Sequence, residues 1–498
     1  MFTPLLDTLL FFTVTTPLVN LLPQRFASKK LASGYASFGL ALALLLLPIY
    51  YMEGFTQGKV TTTLMDLSVP SIDACLEIDA LGLFMVLTFL LIGLVVSIYS
   101  FRNIEQNEGF IGYSTLLLGM VTGMVGVVLA GDLFTLFIFW EIMCVSSYAL
   151  VAFRKEEWAP VEAGYKYLIM SAAGTATLLF AMSFLYGLTG TLNIAYLSAS
   201  FAQSEGTIWM YLILTMIIAG FGLQAGMAPL HMWLPDAHSV APSPISAMLS
   251  GAMVKTAAYG LIRVLMFVFP LMYGAWGITL AIFAVLTMFT GNLMALLQDD
   301  VKRLLAFSTI ANMGYILLGL AIGSLRGLTG SIFHILNHAI VKSLLFLSAG
   351  SFIYKTKTRS LQELAGIGRS MPITSGLFAI GVIALAGIPP LNSFWSELTI
   401  VTACLEADML PFCILMILNL ALSAAYCLRM IQTIFFKKPT SISEKATEAP
   451  KIMLVATIIL ASLSIVIGLY PSPFQDMAGN AAMASLNRQA YMNVVFRE

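Results

Sequence analysis

The chain has 498 residues, 59% of them hydrophobic and 10% charged, a balance that excludes the roughly three or four water-soluble domains its length would otherwise suggest. Lys and Arg number 25 and Asp and Glu number 25, a formal net charge of zero, which leaves no basic surface for nucleic acid and no acidic tail for a basic partner. Cys75, Cys144, Cys404, Cys413 and Cys427 show no CxxC or CxxH spacing, and GxGxxG and GxxxxGK[ST] loops are missing, so neither a local metal or iron–sulfur site nor a nucleotide cradle can be assembled. Energy for any work must come from an ion gradient or a partner.

Apolar stretches of roughly 18 to 25 residues, each able to cross a ~30 Å hydrocarbon layer as a helix, recur along the chain. About fourteen are predicted: Leu5–Leu22, Ala32–Tyr51, Leu81–Tyr99, Tyr113–Leu129, Leu133–Phe153, Tyr165–Tyr186, Trp209–Met227, Ile245–Phe269, Trp276–Leu297, Leu304–Ile322, Ile332–Ile353, Leu377–Cys404, Phe412–Phe435 and Met453–Tyr470. The expected fold class is an all-α polytopic membrane protein. Asp7 and the absence of a basic leading segment make the first span a retained helix rather than a cleaved signal.

Basic residues collect after odd-numbered spans: Arg25, Lys29 and Lys30; Arg102; Arg154 and Lys155; Lys302 and Arg303; Lys355, Lys357, Arg359 and Arg369; Lys437, Lys438, Lys445 and Lys451. Because Lys and Arg are retained on the cytoplasmic side during insertion, both termini are expected outside the cytoplasm.

Two segments recur in order. Lys166-x-Leu168 with Ala173-Gly174 reappears as Lys342-x-Leu344 with Ala349-Gly350, and Ala225-Gly226 with Pro229-Leu230 is echoed by Ala386-Gly387 with Pro390-Leu391. Corresponding spans five apart enter the bilayer from opposite faces, so the expectation is an inverted repeat of spans four to eight and nine to thirteen. The domains expected are 1–111, 112–270 for the first repeat, 271–436 for the second, and 437–498. Pro229 and Pro390 break spans seven and twelve, and carbonyls freed at such breaks must face protein or water. Matched breaks point to an ion path; a kink used only for packing is the alternative.

A charge at mid-bilayer costs about 2.5 to 3.5 kcal/mol on the insertion scale. Yet Glu141 and Lys255 lie mid-span, Lys166 opens span six, His334, His338 and Lys342 share one face of span eleven at i, i+4 and i+8, and Glu397 follows the Pro390 break. A water-linked row of such groups can hand a proton along; static ion pairs are the alternative. No third ligand accompanies the two histidines, so a metal site is not expected. His231, Asp236 and His238 flank the first break, where capping and hinge hydrogen bonding are expected, and Arg263 and Arg429 are expected to snorkel or pair.

The stretches Ala228-Pro-Leu-His-Met-Trp-Leu-Pro-Asp236-Ala-His238, Ala241 to Lys255, Asn337-His338-Ala-Ile-Val-Lys342 and Gly387-Ile-Pro-Pro390-Leu-Asn-Ser-Phe-Trp-Ser-Glu397 resemble the antiporter-like subunits shared by respiratory complex I, Mrp cation/proton antiporters and membrane-bound hydrogenases. The SAPSP-like segment Ser239–Pro244 and the terminal Glu397 look more like the hydrogenase and formate hydrogenlyase branch. The resemblance implies fourteen helices, two inverted five-helix repeats with broken helices seven and twelve, and a hydrated acid–base axis. Carried over by motif, Glu141 is the gating carboxylate of the first half, Lys255 the span-eight lysine, Lys342 the central second-half lysine and Glu397 the terminal group. Gln224 stands where many relatives have a lysine partner for the gating Glu, leaving Lys255 or Lys166 as substitutes.

The implied function is proton translocation, with Na⁺ coupling left open, by a subunit of a redox-driven complex in a prokaryotic inner membrane. No cofactor is expected in this chain; iron–sulfur clusters are expected in peripheral redox subunits, and further antiporter-like subunits are expected as membrane partners. The alternative is a subunit of an Mrp-type antiporter driven by gradients alone.

Overall fold

A computed structural model describes residues 4–21, 29–57, 60–65, 74–104, 109–201 and 207–496. Leu22 and Arg25, at the end of the first expected span and in the first expected basic loop, lie outside them. In chain order the elements are α1 (Pro4–Thr15), α2 (Lys29–Gln57), the antiparallel hairpin β1 (Val60–Met65) and β2 (Ala74–Ile78), α3 (Ala80–Asn103), α4 (Phe110–Leu129), α5 (Leu133–Val151), α6 (Trp158–Thr189), α7 (Ile194–Phe201), α8 (Ile208–Gln224), α9 (Trp233–Val240), α10 (Ser243–Met248) and α11 (Val254–Phe267). The second half holds α12 (Tyr273–Leu296), α13 (Val301–Ala321), α14 (Leu325–Thr356), α15 (Pro372–Leu385), α16 (Asn392–Glu406), α17 (Leu410–Ile431), α18 (Ser441–Lys445), α19 (Lys451–Leu469), α20 (Ser472–Leu486) and α21 (Arg488–Phe496). Among the described residues ten helices are long and apolar enough to cross a membrane, and four shorter apolar helices accompany them, Pro4–Leu18, Gly34–Pro48, Ile208–Gln224 and Pro372–Leu385.

Helix starts are set by short polar side chains at the ends of apolar runs. The Asp79 carboxylate accepts from Gly82 N at 2.7 Å, Asp132 from Thr135 N at 2.8 Å, and Asp300 from both Lys302 N and Arg303 N, each cap being worth about 1 kcal/mol. Between the caps, burial divides the helices into two kinds. α11, α13 and α14 are buried along almost their whole length and form the centre, with α14 packed against α3, α10, α13, α15, α16, α19 and α20. α5, α12 and α17 turn apolar stripes outward, Ile138, Ile142 and Val145 on α5 and Ile278, Ile282 and Leu286 on α12 among them, the arrangement expected where lipid or another membrane helix is the surroundings. α12 and α13 pair closely because Gly291 lies against the Ala311 backbone and Gly314 against the carbonyl of Ala284.

Several helix ends and basic loops gather at one cavity. Asn103 at the end of α3, Arg154 after α5, Lys302 in the first turn of α13, and Lys357 and Arg359 after α14 line it, and Thr440 Oγ1 donates to the Glu363 carbonyl at 2.6 Å, bringing the loop after α17 beside the one after α14. The other loops meet elsewhere: Cys75 N donates to Asp132 at 3.0 Å, Leu133 N to the Leu192 carbonyl at 3.0 Å, and the Tyr491 hydroxyl to Glu77 at 3.2 Å. After α19 the chain continues as α20, packed on α14, α3 and α11, and α21, packed on α7, so the C-terminal tail is a helical strap between the two halves. Beneath it the buried Arg263 guanidinium pairs with Asp79 and donates from Nε to the Tyr259 hydroxyl at 3.0 Å, while that hydroxyl donates to the Val128 carbonyl at 2.6 Å. Arg263 is thus paired rather than snorkelling, and Arg429 donates to the Leu296 and Gln298 carbonyls.

Removing one partner of a buried ion pair leaves the other uncompensated, so Asp79→Ala or Arg263→Ala is expected to cost about 3–5 kcal/mol. Thermal unfolding of the purified protein checks this; an unchanged midpoint for either variant contradicts it.

Candidate functional site

The two breaks are built alike. α8 ends at Gln224, Gly226 takes φ +69°, Gly226 N and Met227 N donate back to the Leu223 and Gly222 carbonyls, and a cis Ala228–Pro229 bond follows. α15 ends at Leu385, Gly387 takes φ +66°, Gly387 N and Ile388 N donate back to Ala384 and Ile383, and a cis Pro389–Pro390 bond follows. This paired return of two amides with a left-handed glycine closes a helix, and only glycine adopts it without steric cost. At the first break the Trp233 indole takes the Leu223 carbonyl at 2.9 Å, and Ala228 N donates to Thr287 Oγ1 at 3.0 Å. At the second, Gly387 leaves room that the Glu397 carboxylate occupies.

A third irregularity was not legible in the sequence. Leu249–Met253 forms a π turn between α10 and α11, and the Lys255 ammonium donates to the Ser250 carbonyl there. The turn lies against α14, with Ser250 Oγ 2.7 Å from Thr309 Oγ1 on α13 and Gly251 against Ser343 and the Ala339 carbonyl. Such single π turns are frequent at functional sites.

On α14, His334, His338 and Lys342 form one buried stripe, each at most 1% exposed. The His334 and His338 rings lie 5.8 Å apart and nearly parallel. His334 bonds through Nδ1 to Ser396 Oγ at 2.9 Å and through Nε2 to Asn312 Oδ1 at 3.1 Å. The Lys342 ammonium donates to Ser308 Oγ and, at 3.2 Å, to the Leu305 carbonyl. Neither ring nitrogen of His338 has a hydrogen-bond partner among the described residues, and the same is true of Thr256 Oγ1 and Glu397 Oε1. Buried polar atoms without a protein partner are the places where ordered water belongs, and these flank Lys255 and His334. Glu397 is 3% exposed and adjoins Ser396, the hydroxyl that bonds His334. Asn337 Nδ2 donates to that hydroxyl at 3.0 Å and to the Asn392 carbonyl at 3.0 Å, and Ser464 Oγ donates to Asn392 Oδ1 at 2.7 Å, clamping α14, α16 and α19 together at this level.

His238 joins the same region, contrary to the hinge role its sequence position implied. It is fully buried, stacks on Phe346 one turn beyond Lys342 at 5.3 Å, and neither ring nitrogen is bonded among the described residues. The signal that could have found it is its place just before the Pro242–Ser243 turn into α10, which carries the chain from the break toward Lys255.

Glu141 and Lys166 stand apart from this line. Lys166 is half exposed and pairs with Glu162 at 2.8 Å and Asp236 at 3.6 Å, while Arg303 reaches Asp236 at 3.5 Å; α6 begins two turns earlier than the span the sequence predicts, which puts Lys166 at a rim rather than at depth. Glu141 is half-buried on the outward stripe of α5, between exposed Ile138 and Ile142. Gln224 is buried in a neutral network, accepting from Ser171 Oγ at 3.0 Å and donating to the Tyr167 hydroxyl at 2.9 Å. No group of three or more His, Cys, Asp and Glu side chains among the described residues could hold a metal ion.

Residues 130–423 match the family described as NADH:quinone oxidoreductase/Mrp antiporter, transmembrane, and the chain belongs to it: it is an antiporter-like integral membrane subunit. It is 31% identical to F420H2 dehydrogenase subunit N of Methanosarcina mazei, over 94% of this chain and 96% of that one, and 34% identical to Hydrogenase-4 component B of Escherichia coli, over 80% of this chain and 63% of that longer one. A subunit of the archaeal membrane-bound sulfane sulfur reductase superposes with a TM-score of 0.89 at 30% identity, covering 98% of both chains.

Gly387→Ala is expected to impair ion movement while the complex still assembles, because a methyl group at a positive φ would displace the Glu397 carboxylate; wild-type movement contradicts this. Gln224→Leu is expected to cost about 1–2 kcal/mol by removing one hydrogen bond from each of the Ser171 and Tyr167 hydroxyls, which keep Tyr148 and Ser147 as partners, and to leave ion movement intact. Lost movement at unchanged stability would place Gln224 on the path.

Proposed function

We propose that the chain carries protons across the membrane along an axis running down α14 from Lys342 through His338 to His334 and on to Glu397, with Lys255 joining it from α11 and His238 lying beyond the Lys342 end. The observation that carries this reading is that groups able to take up or release a proton, three of them with unpartnered buried atoms, converge on α9, α11, α14 and α16. Away from this axis, the buried Arg263 is held by Asp79 and Gln224 by neutral hydrogen bonds. Lysines on this axis that exchange protons with intervening water would alternate between charged and neutral forms, which is the requirement for a relay.

A count of fourteen crossings is supported by the ten long helices, the two short N-terminal ones, and α8 and α15, if their spans continue past the breaks through α9 and α16. The matched glycine returns at Gly226 and Gly387 support two inverted repeats, residues 112–270 and 271–436, preceded by 1–111 and followed by 437–498. The loop cluster bearing Arg154, Lys302 and Arg359 is assigned to the cytoplasmic side by its charge.

Glu141, half-buried on an apolar outward stripe, is costly against lipid, and we assign it to a contact with a neighbouring membrane subunit. The relatives named above belong to redox complexes, which supports a subunit of a redox-driven pump in a prokaryotic membrane, with iron–sulfur clusters in its partners. Each proton moved against 100 mV requires about 2.3 kcal/mol, which those partners supply.

In vesicles containing the assembled complex, Lys342→Ala and Glu397→Gln are each expected to abolish proton movement while redox activity and subunit composition persist. Wild-type proton movement in either variant overturns the axis.

A further inference from the structure

The cavity between the cytoplasmic-side loops holds about 470 Å³, within the range of small-ligand sites. Four cationic side chains line it, Arg154, Lys302, Lys357 and Arg359, against one carboxylate, Glu157. The cations are poorly matched by the protein. The Arg154 guanidinium has no hydrogen bond or ion pair to another described residue. Lys357, held at φ 58° as the cap of α14, lies 5.3 Å over the Tyr354 ring. Lys302 is only 3% exposed, and its ammonium meets a neutral partner, the Ala241 carbonyl. Arg359 is the exception, pairing with Asp300 at 3.3 Å and donating to the Ser239 carbonyl at 2.5 Å. Asn103, Ser243 and Tyr354 add neutral donors to the wall.

A half-enclosed site with this excess of positive charge repels cations and favours a compact anion bearing several acceptor oxygens. Arginine matches phosphate oxygens two at a time and lysine attracts them as a point charge. We infer that this cavity binds a phosphate group, in which the anion is held between Arg154 and Lys357 and rests over the Lys302 ammonium. The inference does not depend on the proton axis, because Arg154 and Lys357 belong to no part of it. The phosphate can come from a lipid headgroup at the membrane surface or from a soluble phosphate, and the volume leaves space for the group it is esterified to.

The test uses the complex with its companion subunits, washed in neutral detergent. One arm titrates it with inorganic phosphate. The other reconstitutes it in phosphatidylcholine vesicles with and without phosphatidylglycerol, then measures by native mass spectrometry the lipid retained after re-extraction. Saturable phosphate binding assigns a soluble source, preferential retention of phosphatidylglycerol a lipid source, and either supports the site if Arg154→Gln with Lys357→Gln weakens it at least tenfold while Arg154→Lys with Lys357→Arg keeps it. If the paired substitution prevents assembly, Arg154→Gln alone, at an exposed side chain, is read the same way. Equal behaviour of the wild-type and glutamine variants with both probes overturns the site.

Discussion

The structure rests on the rule that a polar group inside a membrane must find its partner within the protein or in trapped water. This chain meets the rule in two ways. Arg263 is paired with Asp79, and the Gln224 amide bonds Tyr167 and Ser171. His238, His338, Thr256 and Glu397 instead bury atoms that no described residue satisfies. The first kind holds helices together. The second kind lies along α9, α11, α14 and α16, and it is there that groups able to exchange protons are concentrated.

Backbone irregularities give this line its positions. Gly387 opens the space that Glu397 fills, and the clamp of Asn337, Asn392, Ser396 and Ser464 fixes the part of α16 beside His334. The π turn at Leu249–Met253 frees a carbonyl that Lys255 takes. Each device supplies locally what an uninterrupted helix lacks: a carbonyl, a hydroxyl or a gap facing inward. The largely buried α13 and α14 then keep these groups in register.

Much of this was legible in the sequence because apolar length, basic loops and proline breaks each leave a one-dimensional trace. The i, i+4, i+8 spacing of His334, His338 and Lys342 placed them on one face before any coordinates. Burial is set by tertiary packing and was harder to read. Lys166 and Lys342 share the same local motif, yet one sits at a rim among Glu162 and Asp236 and the other in the centre, since α6 begins earlier and borders the outside. The burial of His238 leaves no local trace, because its partner ring, Phe346, comes from a helix more than a hundred residues away. The π turn left no trace in a stretch of small and apolar residues, and the strap of α20 and α21 carries only a weak apolar pattern.

The central claim is that water joins the unpartnered atoms of this line into a path. A high-resolution cryo-electron microscopy map of the assembled complex tests it most directly. The account predicts ordered water between Lys255, His338 and Lys342 and beside Glu397. Apolar side chains filling those intervals, with no water on either side of His338, would contradict it.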